Sequence, residues 1–137
     1  MTTADDLLAE ASQRAGGLTD TGDDLSVPLA TFVDALAGEA RLSEFGELVA
    51  RERILLHLVN RLTYVEDRKK YAEIAEQTVE RPVFIIGFPR TGTTILHDIL
   101  AKDPASRAPL TWETMFPSPP PEAATFRSDP RLSLIHI

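Results

Sequence analysis

Pro82-Val83-Phe84-Ile85-Ile86-Gly87-Phe88-Pro89-Arg90-Thr91-Gly92-Thr93-Thr94-Ile95-Leu96 is the stretch on which the fold turns. Val83 to Ile86 is an unbroken apolar run with β-branched and aromatic members, the pattern of a strand covered on both faces in a parallel sheet. Gly87 opens a tight turn, and Gly92 lies where a positive φ and close approach of the backbone to a ligand are expected. Ile95, Leu96, Ile99 and Leu100 then recur at helical spacing, Lys102 suits the negative end of that helix, and Asp103-Pro104 ends it. Strand, turn and helix together aim unpaired N–H groups at one point, where a tetrahedral anion can sit. Pro89 has no N–H to give, so the cradle must come from Arg90, Thr91, Gly92, Thr93 and Thr94. Two threonine hydroxyls and the planar guanidinium of Arg90 add donors matched to phosphate or sulfonate oxygens.

The spacing G-x-x-x-x-G is that of the nucleotide-binding P-loop, but Thr93 stands where that loop has its Lys. Without the Lys, ATP hydrolysis with the usual parts is not expected. The octet Gly87 to Thr94 resembles the 5′-phosphosulfate loop of sulfotransferases, in the form found in the bacterial sulfotransferase-like group and in tyrosylprotein sulfotransferases. The resemblance continues through Ala101-Lys102-Asp103-Pro104 and Ala108-Pro109-Leu110-Thr111-Trp112-Glu113-Thr114 to the prolines at 117–121, and back to Val65-Glu66-Asp67-Arg68 and Val79-Glu80-Arg81-Pro82. It implies metal-independent transfer of a sulfuryl group from 3′-phosphoadenosine 5′-phosphosulfate (PAPS) to a hydroxyl or amine. It also implies that Arg90 bridges the leaving oxygen and the sulfonate while residues 90–94 hold the 5′-phosphate.

The acceptor must lose a proton. Glu113 is the candidate base, since it lies just beyond an expected second strand, Ala108 to Leu110, and strand C-termini line the ligand crevice of an open parallel sheet. The Glu113-Thr114 pair also aligns, by resemblance, with the Glu-Thr pair that carries the base in tyrosylprotein sulfotransferases, though with a longer gap from the loop. The alternative is that Glu113 caps or flanks a short helix. Trp112 and Phe116 read as core, with an apolar acceptor pocket as the second reading.

The remainder bounds the answer. The chain has 137 residues and no cysteine, so disulfides and thiolate metal sites are excluded. His57, His97 and His136 lack paired ligand spacing, and no metal is expected. Net charge is −7, with 16 acids and 8 bases in residues 1–80 against 5 acids and 6 bases in residues 81–137. The acidic first part argues against nucleic-acid binding. No stretch is long and apolar enough to span a bilayer, no basic leader opens the chain, and a cytoplasmic location is expected.

Before the loop, helices are expected from Thr3 to Arg14, from Ser26 to about Leu42, and from a Ser43 cap onward. In the third, Phe45, Leu48, Val49, Leu55, Leu56, Val59 and Leu62 form the apolar face, and Arg53, His57 and Arg61 a solvated stripe. The expected class is α/β: a helical subdomain over residues 1–80, then over 81–137 the start of a P-loop-like parallel-sheet core, truncated because one or two strands do not complete a sheet. Arg131 to Ile137 departs from the family pattern, and Leu132 to Ile137 resembles translated adapter sequence, so a foreign tail is expected. The function expected is a sulfotransferase acting on a small-molecule or lipid hydroxyl. A variant P-loop kinase or NTPase, and a helical interaction module with a residual anion site, are the alternatives.

Overall fold

The computed structural model describes residues 3–135; Met1 and Thr2, and His136 and Ile137 of the expected foreign tail, lie outside the described residues. Helix α1 spans Ala4–Arg14, α2 Ser26–Gly38, α3 Glu44–Lys70, α4 Ala72–Glu76, α5 Thr93–Leu100, α6 Thr111–Met115 and α7 Leu132–Ile135.

Local chemistry sets the helix starts. Thr3 Oγ1 accepts from the Asp6 amide at 3.1 Å, and the Asp6 carboxylate accepts from the Thr3 amide at 3.0 Å, a reciprocal cap on α1. Ser43 Oγ accepts from Gly46 N at 3.2 Å at the head of α3. Helix α2 stops at Gly38, short of the expected Leu42. Glycine has poor helix propensity, and Arg41 follows in the left-handed region at φ 47°, which a helix cannot pass through.

The core forms where α1 meets α3. Leu7 and Ala11, one turn apart, bury against Leu55, Leu58 and Leu62, with Leu29 and Val33 of α2 closing over them. Each fully buried leucine contributes about 1.5–3 kcal/mol relative to exposure. Ion pairs border this seam: Arg14 meets Glu52 at 2.8 Å and Glu10 at 2.7 Å, and Arg51 reaches Glu10. Periodicity misjudged two parts of α3. Phe45, Leu48 and Val49 continue the apolar spacing but are exposed, because the buried cluster on α3 extends only over Leu55, Leu58 and Leu62. Arg61 is half-buried rather than solvated; its Nε donates to Thr21 O at 2.7 Å and it pairs with Asp23, holding the 21–23 loop.

The expected strands do not form. Among the described residues there is no strand: Val83 to Ile86 and Ala108 to Leu110 run without ladder partners. A strand exists only through hydrogen bonds to a neighbour, and neither run has a ladder partner among the described residues. Val83 is 76% and Ile86 94% exposed, so the apolar content that reads as a buried strand is uncovered here. The helical expectation for residues 1–80 has its counterpart in α1 to α4, whereas the sheet that defines an α/β core is not observed.

Candidate functional site: the 87–94 turn and the Glu113 cluster

The turn is built by backbone conformations that side chains then exploit. Gly92 has φ 89° and stands at the N-cap of α5, as expected for a residue free of a Cβ. Arg90 has φ 67°, a left-handed conformation that costs a non-glycine residue about 1–2 kcal/mol. Two positive-φ residues thus flank Thr91, a backbone pattern of the kind that turns amides toward an anion. Thr91 Oγ1 donates to Phe88 O at 2.6 Å and closes the turn. Gly87 is required by proximity: a Cβ there would lie 2.8 Å from Thr93 Cγ2 and 2.9 Å from Thr91 Oγ1.

Among the described residues the amides of Arg90 to Thr94 have no hydrogen-bond acceptor, and the first helical-type bond comes only at Leu96 N to Gly92 O, 3.0 Å. The Arg90 side chain is exposed and makes no ion pair there. All five expected loop residues are therefore brought together, with Arg90, Thr91, Gly92 and Thr94 exposed and Thr93 half-buried. Unpaired amides, a helix N-terminus and a free guanidinium at one turn can hold a phosphate-like anion.

Glu113 lies in a different environment. It is 8% exposed. Oε2 accepts from Leu110 N at 2.7 Å, and Oε1 accepts from Arg107. Glu113 thus caps α6 from its third position, the alternative reading of this residue. Leu110 has no side-chain acceptor to return the bond, so only half of a capping box exists. Among the described residues no hydrogen bond or ion pair joins Glu113 to residues 90–94.

Beside Glu113, Trp112 is fully buried, and the Arg131 guanidinium lies 4.7 Å from its ring centroid. Arg131 forms a two-pronged pair with Asp129 (Nε–Oδ1 2.8 Å, Nη2–Oδ2 2.6 Å) and donates from Nη1 to Phe116 O at 2.8 Å and Pro119 O at 2.6 Å. It holds the Asp129 carboxyl down to about 2. Trp112 Nε1 is the one buried side-chain polar atom without a partner among the described residues. Phe126 packs against Trp112, ring centroids 5.3 Å apart, so Trp112 is core as expected.

Sequence reasoning missed Arg107, Asp129, Arg131 and Asn60. Arg131 in particular, expected from the sequence to lie in a tail outside the family pattern, is one of the most heavily bonded side chains present. Its partners lie 2, 12 and 15 residues away in sequence, so no periodicity signals them. Among the described residues no three histidine or acidic side chains gather as a metal site would need, and no helix is long and apolar enough to cross a membrane.

A turn without the P-loop lysine at the head of α5 is thus followed by a short helix, α6, that buries Trp112 and Glu113. The sulfotransferase family matches residues 82–134, which include both the loop and Glu113. The crystal structure of sulfotransferase STF9 from Mycobacterium avium is similar to this chain with a TM-score of 0.84 and 36% identity, over 98% of this chain and 34% of that one. No curated protein matches. The chain belongs to the sulfotransferase family, and it spans about a third of the length of the solved relative.

Proposed function

We infer that the chain contributes the donor-binding loop of an enzyme that moves a sulfuryl group from PAPS to a hydroxyl or amine. The observation that carries this reading is the turn from Gly87 to Thr94, with its unpaired amides and its unpaired Arg90. The residues fit the donor's inner phosphate on their own geometry. The amides of Arg90 to Thr94 have no acceptor among the described residues and stand at the N-terminus of α5, which favours an anionic ligand.

When bound, the donor supplies a sulfuryl group on a phosphate leaving oxygen. The amides of Arg90 to Thr94 and the Thr93 and Thr94 hydroxyls hold the phosphate. Arg90 offsets the charge that accumulates on the phosphate oxygen as the S–O bond of the phosphosulfate anhydride breaks, a role worth about 2.7–4 kcal/mol for one well-placed donor. Glu113 takes the acceptor proton. Its carboxylate is already shielded from water and held in place by Leu110 N and Arg107, so no reorganisation of its position is required. No metal is invoked, as the family resemblance implies, and Arg90 supplies the local positive charge.

A thermal-shift and calorimetric comparison tests the reading. The protein is expected to bind 3′,5′-adenosine bisphosphate without Mg²⁺ and more tightly than Mg·ATP. Tighter binding of Mg·ATP would favour a nucleotide-hydrolysing or kinase function and remove this one.

A further inference from the structure

A cavity of about 540 Å³ opens beside the Glu113 cluster, and no acidic residue lines it. Its polar wall is Arg107, Arg127 and Ser128; Phe126 and Pro121 supply apolar wall. That volume lies within the range of small-molecule sites, which combine apolar surface with a few convergent polar groups.

The charges are available. Among the described residues the Arg127 side chain makes no hydrogen bond or ion pair. Arg107 is 69% exposed and uses a single N–H, to Glu113, so the rest of its guanidinium is uncommitted. Two arginines on one concave wall, of which Arg107 is paired with Glu113 and Arg127 with no carboxylate, favour an anion, and a guanidinium fork holds a carboxylate or phosphate through paired bonds. Phe126, fixed by its packing on Trp112, offers a rigid apolar surface for the body of the same ligand.

We propose that this cavity is an acceptor subsite for hydroxyl compounds that carry an anionic group on an aromatic or apolar body. The anionic group sits between Arg107 and Arg127. Because Arg107 spans from the cavity to Glu113 Oε1, the bound acceptor lies next to the carboxylate assigned above as the base. The placement of the acceptor hydroxyl rests on that assignment; the anion site does not.

The test is calorimetric titration of the chain, without donor, using 3-(4-hydroxyphenyl)propionate and its uncharged methyl ester. The acid is expected to bind roughly tenfold more tightly than the ester, the scale of one charge-assisted hydrogen-bonded pair. Arg127→Gln is expected to abolish that difference without lowering the melting temperature, since Arg127 has no partner to lose. Equal binding of acid and ester, or a difference that survives in Arg127→Gln, would overturn the proposal. Inorganic sulfate matching the affinity of the aromatic acid would reduce the cavity to a simple anion site and overturn it too. So would competition by adenosine bisphosphate, which would assign the cavity to the donor. If Glu113 is not the base, turnover of Glu113→Gln reveals it while these binding results stand, so the two ideas fail separately.

Discussion

Asn60 Nδ2 donates to the carbonyl oxygen of Met115 at 2.8 Å. This bond crosses 55 residues of sequence and ties the middle of α3 to the end of α6, the helix that carries Glu113. The helical first part of the chain therefore does more than bury its own leucines. It fixes the far end of the short helix whose near end Glu113 caps.

Asn60→Ala is accordingly expected to lower stability by about 1–3 kcal/mol, the cost of leaving a partly buried carbonyl unpaired. Chemical denaturation followed by tryptophan fluorescence reports on it, since Trp112, the single tryptophan, sits in α6. Unchanged stability would mean that α6 is held without help from α3.

Gly87→Ala should act on the loop rather than on the fold. The added methyl meets Thr91 Oγ1 and Thr93 Cγ2 below 3 Å and must push one of them aside. Binding of adenosine bisphosphate is expected to weaken by more than about tenfold, on the scale of one lost bond to a charged group. Full affinity in this variant would show that the turn tolerates a side chain and that the close approach is incidental.

Arg90→Gly separates charge from backbone. Glycine adopts φ 67° without penalty, so the variant is expected to melt no lower than the parent. Wherever sulfuryl transfer is measurable, its rate is expected to fall by about 10²–10³-fold, since a donor to the developing charge is gone. Retained turnover would remove Arg90 from the mechanism.

Glu113→Gln keeps the cap to Leu110 N through its amide oxygen but gives up the ion pair with Arg107. A loss of about 10²–10⁴-fold in turnover is expected, together with disappearance of the acidic limb of the pH–rate profile. If the limb persisted, Glu113 would be a helix cap and nothing more.

Asp129→Asn addresses acid stability. Asp129 is held at about 2 in the folded protein by Arg131, below its ordinary value of 3.8. A depressed carboxyl stabilises the fold fully above its unfolded pKa and loses that contribution as pH falls through the folded one. The melting-temperature gap between the parent and Asp129→Asn is therefore expected to be widest at pH 5 and above and to shrink between about pH 4 and pH 2. A gap that stays constant across that window would place the stabilisation elsewhere than in this pair.

Much of the site was legible from local sequence because its determinants are local. The Gly87 to Thr94 turn depends on glycines at two positions and on the start of a helix, all within a few residues. The caps at Thr3 and Ser43 depend on neighbours three positions away. The sheet is not observed: the apolar run 83–86 carries the composition of a buried strand, yet a strand is a relation between segments, and among the described residues that run has no ladder partner.

The sequence by itself determined the turn geometry of the loop and the starts of α1 and α3, since each is settled by φ preferences and hydrogen bonds within one turn. Only the tertiary structure decided which apolar face of α3 is buried. It also decided that Arg131 is an internal clamp on Trp112, and that Glu113 sits beneath Arg107 at the rim of an acid-free cavity. Those outcomes require side chains from distant positions to meet, and the energy of such meetings is not encoded in spacing along the chain.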